Sequence, residues 1–315
     1  MDAEALQLAT HPLWSATPTP LTEDMEIDVE AARHLVDHHL KLGVTGLFLL
    51  GTCGEGPWLP RRLHRDLVRE VCAYNDGRLT IGAQVTDNSA LRIIENAEMA
   101  AEEGADIAVM AAPFKVFRPT PETLRELYLE AIEGSPLPMG IYDRGQHDLI
   151  EIPGEVITDA LAQERVVILK DSSGDPERRE AALEVREGRP DLRIMTGDEF
   201  DCVTYLDAGY DGLTLGGGIF NGFIASQIIE AVNEGDIDRA NALQERMNEL
   251  MWDVYGGKEI TCWLRGLKHL LVRMGIFGTD NLLLDYDLTP ECEERIERVL
   301  REERDVLFPW ESGGG

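Results

Sequence analysis

Lysine is scarce in this chain. Only Lys41, Lys115, Lys170, Lys258 and Lys268 carry an amine; the other basic side chains, among 29 in all, are arginines. Positive charge is short altogether, because 59 acidic residues leave a net charge of −30. Such a field repels nucleic acid and anionic membrane surfaces, so neither is expected as a partner. The same imbalance fits a salt-tolerant protein or simply an acidic soluble surface. No apolar stretch reaches the roughly 18 residues of a membrane span. The start, Met1-Asp2-Ala3-Glu4, has no basic region ahead of an apolar segment, so no secretory signal is visible and a cytoplasmic protein is expected. Cysteine is sparse and odd in number: Cys53, Cys72, Cys202, Cys262 and Cys292 show no CxxC spacing, which argues against a disulfide framework and a structural zinc site. No HxH pair or cysteine cluster follows an apolar run, which argues against a zinc-dependent aldolase, and no metal is expected.

What the chain does have is alternation. Short apolar runs near residues 13–17, 44–50, 79–84, 107–111, 138–142, 166–170, 192–196 and 211–215 read as strands. Amphipathic spacing between and after them predicts helices near 28–42, 60–75, 89–104, 120–134, 152–163, 176–188, 199–209 and 221–234. Asp28 caps the first of these, Pro119 and Pro121 introduce the fourth, and Gly43, Gly104 and Gly209 act as stop signals. Eight strand–helix units close naturally into a (β/α)8 barrel, a fold of about 250 residues, with a doubly wound open sheet as the alternative. The 315 residues exceed a bare barrel, and helical spacing at 236–254, 259–275 and 289–306 accounts for the excess. The expected organisation is a barrel over 1–235, a three-helix extension over 236–308 and a mobile tail over 309–315.

In such barrels the chemistry collects at the C-terminal ends of the strands. Val166-Val167-Ile168-Leu169 delivers Lys170 into Asp171-Ser172-Ser173-Gly174-Asp175. Taking an ammonium out of water disfavours its charged form, and a neutral amine is a nucleophile that forms Schiff bases with ketones. Arginine can serve as a cation there but not as this nucleophile. The second strand runs into Gly51-Thr52-Cys53-Gly54-Glu55-Gly56, where glycines permit close backbone approach and Thr52 with the local N–H groups suits a carboxylate. Cys53 has no identifiable histidine partner and is expected as a packed thiol rather than a nucleophile. The fifth strand ends in Tyr142, beside the lysine strand and suited to relaying a proton. Asp143, Arg144 and His147 follow in its loop, His147 reading more as a solvated side chain than as a catalyst. Asp198 and Glu199, after the seventh strand, fit as first-turn acids of the next helix. Gly216-Gly217-Gly218, after the eighth, expose backbone to a ligand.

The Gly51-Thr52-Cys53-Gly54-Glu55 loop, Tyr142, the Lys170–Asp175 run and Thr196-Gly197-Asp198 together resemble the dihydrodipicolinate synthase/N-acetylneuraminate lyase family, over roughly residues 12–300. The resemblance implies a (β/α)8 barrel with a C-terminal helical extension, assembled as a homo-oligomer, usually a tetramer, or else a dimer. It implies that Lys170 attacks the ketone of pyruvate or a related 2-oxo acid, that Tyr142 shuttles the proton, and that no cofactor is needed beyond the covalent imine. The implied substrate-binding set is Gly51, Thr52, Cys53 and Thr214. Departures bear on the second substrate. Cys53 replaces the second threonine of the usual GTTGE. The usual Tyr-Asn-x-Pro is Tyr142-Asp143-Arg144-Gly145, His147 stands where synthases carry an arginine, and Phe114-Lys115 stands where they lend a tyrosine to a neighbouring subunit. Lys115, Asp143, Arg144 and His147 are therefore the candidates for substrate specificity. The function expected is a Schiff-base-forming lyase acting on pyruvate or a 2-oxo sugar acid, as aldolase or dehydratase. The rivals are 4-hydroxy-tetrahydrodipicolinate synthase, which condenses pyruvate with aspartate semialdehyde, and a non-catalytic barrel that only binds 2-oxo acids.

Overall fold

The computed structural model describes residue 8 and residues 11–311. Eight parallel strands close on themselves in chain order: β1 Leu13–Ala16, β2 Gly46–Leu49, β3 Thr80–Gln84, β4 Ile107–Met110, β5 Met139–Asp143, β6 Val166–Asp171, β7 Arg193–Thr196 and β8 Gly212–Leu215. The open-sheet alternative falls with that closure, because β1 pairs with both β2 and β8. Helices α1 Val29–Lys41, α2 Arg61–Asn75, α3 Ala90–Glu102, α4 Pro121–Gly134, α5 Gly154–Leu161, α6 Pro176–Gly188 and α7 Cys202–Asp207 form the crossovers, and α8 Gly218–Asn233 follows the last strand. The Asp28 carboxylate accepts from the Ala31 N–H and starts α1 as the sequence predicts.

The barrel floor explains several small residues. Trp14 points inward from β1 and is 2% exposed. A Cβ at Gly46 or Gly82 would fall 2.4 or 2.9 Å from its ring, so one indole is accommodated by glycines on the next two strands.

Helices α9 Ile237–Tyr255, α10 Trp263–Arg273, α11 Pro290–Glu302 and the short α12 Arg304–Leu307 follow the barrel. The chain thus breaks at Glu303, inside the span expected as one helix over 289–306. The tail expected to move from residue 309 is held at its start: Pro309–Glu311 is a 3-10 turn, with Trp310 edge-on to His38 at 5.4 Å and Lys41 Nζ 5.0 Å from its ring. Residues 312–315 lie outside the described residues.

Two other expectations need correction. The helix expected over 199–209 begins only at Cys202, so Asp198 and Glu199 are not its first-turn acids. The helix expected from 221 begins at Gly218, where a Cβ would meet Ser15 at 2.8 Å; this glycine serves helix–barrel packing rather than an open loop. All five cysteines are free thiols. Among the described residues no helix is long and apolar enough to cross a membrane, and no group of three or more His, Cys, Asp or Glu side chains is placed to hold a metal.

Candidate active site

Strand alternation decides which end-of-strand side chains meet. In β5 and β6, Tyr142 pairs with Lys170 and Asp143 with Asp171. The period of two sends the first pair into the barrel and the second pair out between strands and helices. Inside, the Lys170 Nζ lies 4.3 Å from the centre of the Tyr142 ring and 5.2 Å from that of Phe48, whose ring stands edge-on to Tyr142 at 5.7 Å. Lys170 is 8% exposed. Its stem depends on Gly197 at the end of β7, since a Cβ there would sit 2.7 Å from Lys170 Cε.

Outside, Asp171 accepts from the Ser173 N–H and hydroxyl and, at 2.6 Å, from the Tyr210 hydroxyl. Asp143 accepts at both oxygens from the Arg178 guanidinium of α6, at 3.1 and 2.9 Å, and from the Gly145 N–H. Its expected place among specificity residues is therefore corrected: it fastens β5 to α6 and does not line the cleft. Lys115 does not line it either; it is exposed, with only its backbone N–H tied, to the Asn88 side chain. Thr214 is 1% exposed within the barrel, its hydroxyl on Met195 Sδ at 3.7 Å, and faces neither opening described below.

The Gly51–Gly56 loop is tightly folded over the barrel end. Leu50 and Glu55 adopt left-handed backbone (φ +62° and +58°), and a Cβ at Gly56 would overlap the Leu50 carbonyl at 1.8 Å. Such backbone persists only where surroundings impose it. Here the C-terminal extension does so. Glu55 and Lys268 of α10 are both fully buried and paired at 2.5 Å; Lys268 also donates to the Asn281 carbonyl at 2.6 Å, and the second Glu55 oxygen accepts from the Leu283 N–H. Burial pushes the Lys268 ammonium below its usual range, against the pull of Glu55. Cys53 is 4% exposed with Sγ 3.7 Å from the Gly216 carbonyl, and burial pushes its thiol up to about 12. A neutral thiol is no nucleophile. Thr52 is half-buried and borders open space on two sides.

Two clefts meet at Thr52, Trp58 and Arg144. The first, about 200 Å³, reaches Tyr142 and includes His147, so of the four specificity candidates Arg144 and His147 are brought to it. The second, about 610 Å³, runs toward the extension past Glu199, Tyr255 and Trp263. Glu199 is the residue that sequence reasoning misplaced. Its carboxylate accepts from the Gly217 N–H at 2.7 Å and from the Tyr255 hydroxyl at 3.0 Å. Burial pushes it above the usual carboxylate range, opposed by those two hydrogen bonds and by the charge of Lys170. Lys268 had a readable signal: it falls on the apolar stripe Leu264, Leu267, Leu271 of its helix.

Comparison with known proteins bears on the family and the fold. The dihydrodipicolinate synthetase family model matches residues 10–291. A 4-hydroxy-tetrahydrodipicolinate synthase of Nitrosomonas eutropha is 27% identical over 241 residues, 76% of this chain and 81% of that protein. One from Alcanivorax borkumensis is 25% identical over 289 residues, 91% of this chain and 95% of its own length. The solved dihydrodipicolinate synthase of Bacteroides thetaiotaomicron superposes with a TM-score of 0.85 at 25% identity, covering 94% of this chain and 99% of that one.

Proposed function

The chain belongs to the dihydrodipicolinate synthetase family, whose enzymes are class I aldolase-type lyases, and from that membership we propose that Lys170 forms a Schiff base with pyruvate or a related 2-oxo acid. The observation that carries the proposal is the Lys170 amine inside the barrel, set against the rings of Phe48 and Tyr142. The Nζ lone pair adds to the C2 carbonyl, and loss of water leaves an iminium. That iminium is an electron sink, so C3 loses a proton or the C3–C4 bond breaks with its electron pair held as an enamine. Tyr142 carries the proton between the C2 oxygen, water and the carbon centre. Thr52 with the backbone N–H groups of Gly51 and Cys53 holds the carboxylate, a role supported by the tight loop geometry. The imine supplies the chemistry without a metal or organic cofactor. The same reading includes a cytoplasmic homo-oligomer, its size measured by sedimentation equilibrium.

Incubation with pyruvate and borohydride is expected to fix a reduced adduct on Lys170, read by peptide mass spectrometry. Absence of the adduct, or its persistence in Lys170→Ala, would falsify the mechanism. The names of the relatives favour a second, narrower reading: condensation of pyruvate with aspartate semialdehyde, as in 4-hydroxy-tetrahydrodipicolinate synthase. Coupled turnover of those two substrates decides it.

A further inference from the structure

The first cleft differs in chemistry from the amine it leads to. Its wall is built by Pro57 and Trp58 from the β2 loop and by Ala111, Ala112, Pro113 and Phe114 from the end of β4. At its mouth Trp58 and Phe114 remain 48% and 42% exposed, and Leu149 96%. Single exposed apolar side chains are ordinary, but three around one opening form a patch that marks a binding site. Charge is missing from the same wall. Arg144 is neutralised by Asp148, 2.9 Å away and four residues on, and Lys115 lies outside the cleft. Arg178 is committed to Asp143 outside the barrel. Beyond Tyr142 and the Arg144–Asp148 pair, His147 is the remaining titratable side chain in the lining among the described residues. Gln84 lines the cleft, but its Oε1 is buried and so presents no open acceptor to it.

Each candidate substrate can be set against these facts. Aspartate semialdehyde brings an ammonium and a carboxylate, and the carboxylate finds no uncompensated arginine or lysine. A polyhydroxylated chain brings several hydroxyls to a wall of Pro, Ala, Trp and Phe, where desolvating an unpaired hydroxyl is unfavourable. An aryl or branched alkyl group loses nothing on desolvation, and an apolar cavity of about 150 Å³ is enough to hold benzene. The cleft offers about 200 Å³.

Resting on the Schiff-base reading of Lys170, we propose that the group carried on C4 is apolar, an aryl or branched alkyl substituent, so that the enzyme interconverts a 4-substituted 4-hydroxy-2-oxobutanoate with pyruvate and an apolar aldehyde. The Lys170 amine displaces the C2 oxygen as one water. The C3–C4 bond then breaks, its electron pair passing into the C2–C3 bond as the iminium becomes an enamine. The C4 hydroxyl gives its proton to Tyr142 as C4 becomes the aldehyde carbonyl. The enamine takes that proton at C3, and one water hydrolyses the iminium to pyruvate and free Lys170. Nothing is oxidised or reduced.

Benzaldehyde, isobutyraldehyde, glyceraldehyde and aspartate semialdehyde are each supplied with pyruvate to the full-length enzyme, alongside borohydride trapping of the pyruvate imine. The expected result is an adduct on Lys170 and a kcat/KM for benzaldehyde or isobutyraldehyde more than about tenfold above the other two. In Phe114→Ser the KM for benzaldehyde is expected to rise about tenfold, the effect of losing part of a buried phenyl contact, with a much smaller change for pyruvate. An adduct combined with preference for glyceraldehyde or aspartate semialdehyde overturns the proposal and leaves the Schiff base standing. So does a Phe114→Ser enzyme that changes only its oligomeric size. Failure to trap any imine removes both readings.

Discussion

Replacing Lys268 by methionine isolates the contact between the extension and the loop that carries Thr52. The ammonium is fully buried, 2.5 Å from Glu55 Oε1 and 2.6 Å from the Asn281 carbonyl. The pair as a whole is weak evidence of stability, because desolvating two charges offsets most of their attraction. Removing one member is different: Glu55 is left as a buried carboxylate whose remaining described partner is the Leu283 N–H. An uncompensated charge of this kind costs about 3–5 kcal/mol, a large share of a total stability of about 5–15 kcal/mol. Relaxing Leu50 and Glu55 from their left-handed backbone recovers part of that cost and moves the Gly51–Gly56 loop. Equilibrium urea unfolding of Lys268→Met, Glu55→Gln and the double variant measures the coupling, and the rate of pyruvate-imine trapping reports the loop. The double variant is expected to be more stable than Lys268→Met alone by about 1–3 kcal/mol, since neither charge is then stranded. A Lys268→Met cost below about 1 kcal/mol, or a double variant whose losses simply add, refutes the argument.

Gly197→Ala places a Cβ 2.7 Å from Lys170 Cε and 2.1 Å from Ser172 Oγ, so borohydride trapping is expected to fall sharply while far-ultraviolet circular dichroism is retained. Normal trapping would show that the lysine has room the geometry denies it. Asp143→Asn weakens the contact of both carboxylate oxygens with one Arg178 nitrogen outside the barrel and is expected to lower stability by about 1–3 kcal/mol without changing aldehyde preference; a switch in preference would return Asp143 to the cleft. Burial lowers His38 to about 4 and His39 to about 3. Both folded values lie below the unfolded one, so their contribution is complete above about pH 6.5 and is lost as pH falls toward 4 and 3, at up to about 1.4 kcal/mol per pH unit per histidine. His39→Leu keeps the carboxylate contribution and is expected to flatten the slope of unfolding free energy between pH 6.5 and 4.5; an unchanged slope contradicts burial as the cause.

The barrel is legible because parallel strands covered on both faces appear as unbroken apolar runs, such as Val166–Leu169. Tyr142 and Lys170 are legible as polar atoms ending such runs, and alternation then places Asp143 outside, a step that needs only the period of two. Depth along a strand is not legible. Thr214 reads as a strand-end hydroxyl, yet it lies below the openings on Met195 Sδ. Glu199 was misread because an acid pair after a strand matches a helix start; the Gly217 N–H and Tyr255 hydroxyl that claim it lie 18 and 56 residues further on. The apolar wall of the first cleft is equally invisible, since Trp58 and Phe114 come from loops of different strands that meet only when the barrel closes.

Glu55 and Lys268 are 213 residues apart, and that interval is also an interval of time. At about 5–20 residues per second of synthesis, the Thr52 loop emerges roughly 10–40 seconds before the amine that holds it. Throughout that period Glu55 has no internal counter-charge and must remain hydrated, so its loop stays open over the growing barrel. Lys170, made midway, therefore waits in an unfinished pocket. Closure of the Gly51–Gly56 loop belongs to the last stage of folding, when α10 docks and the clefts take their final walls.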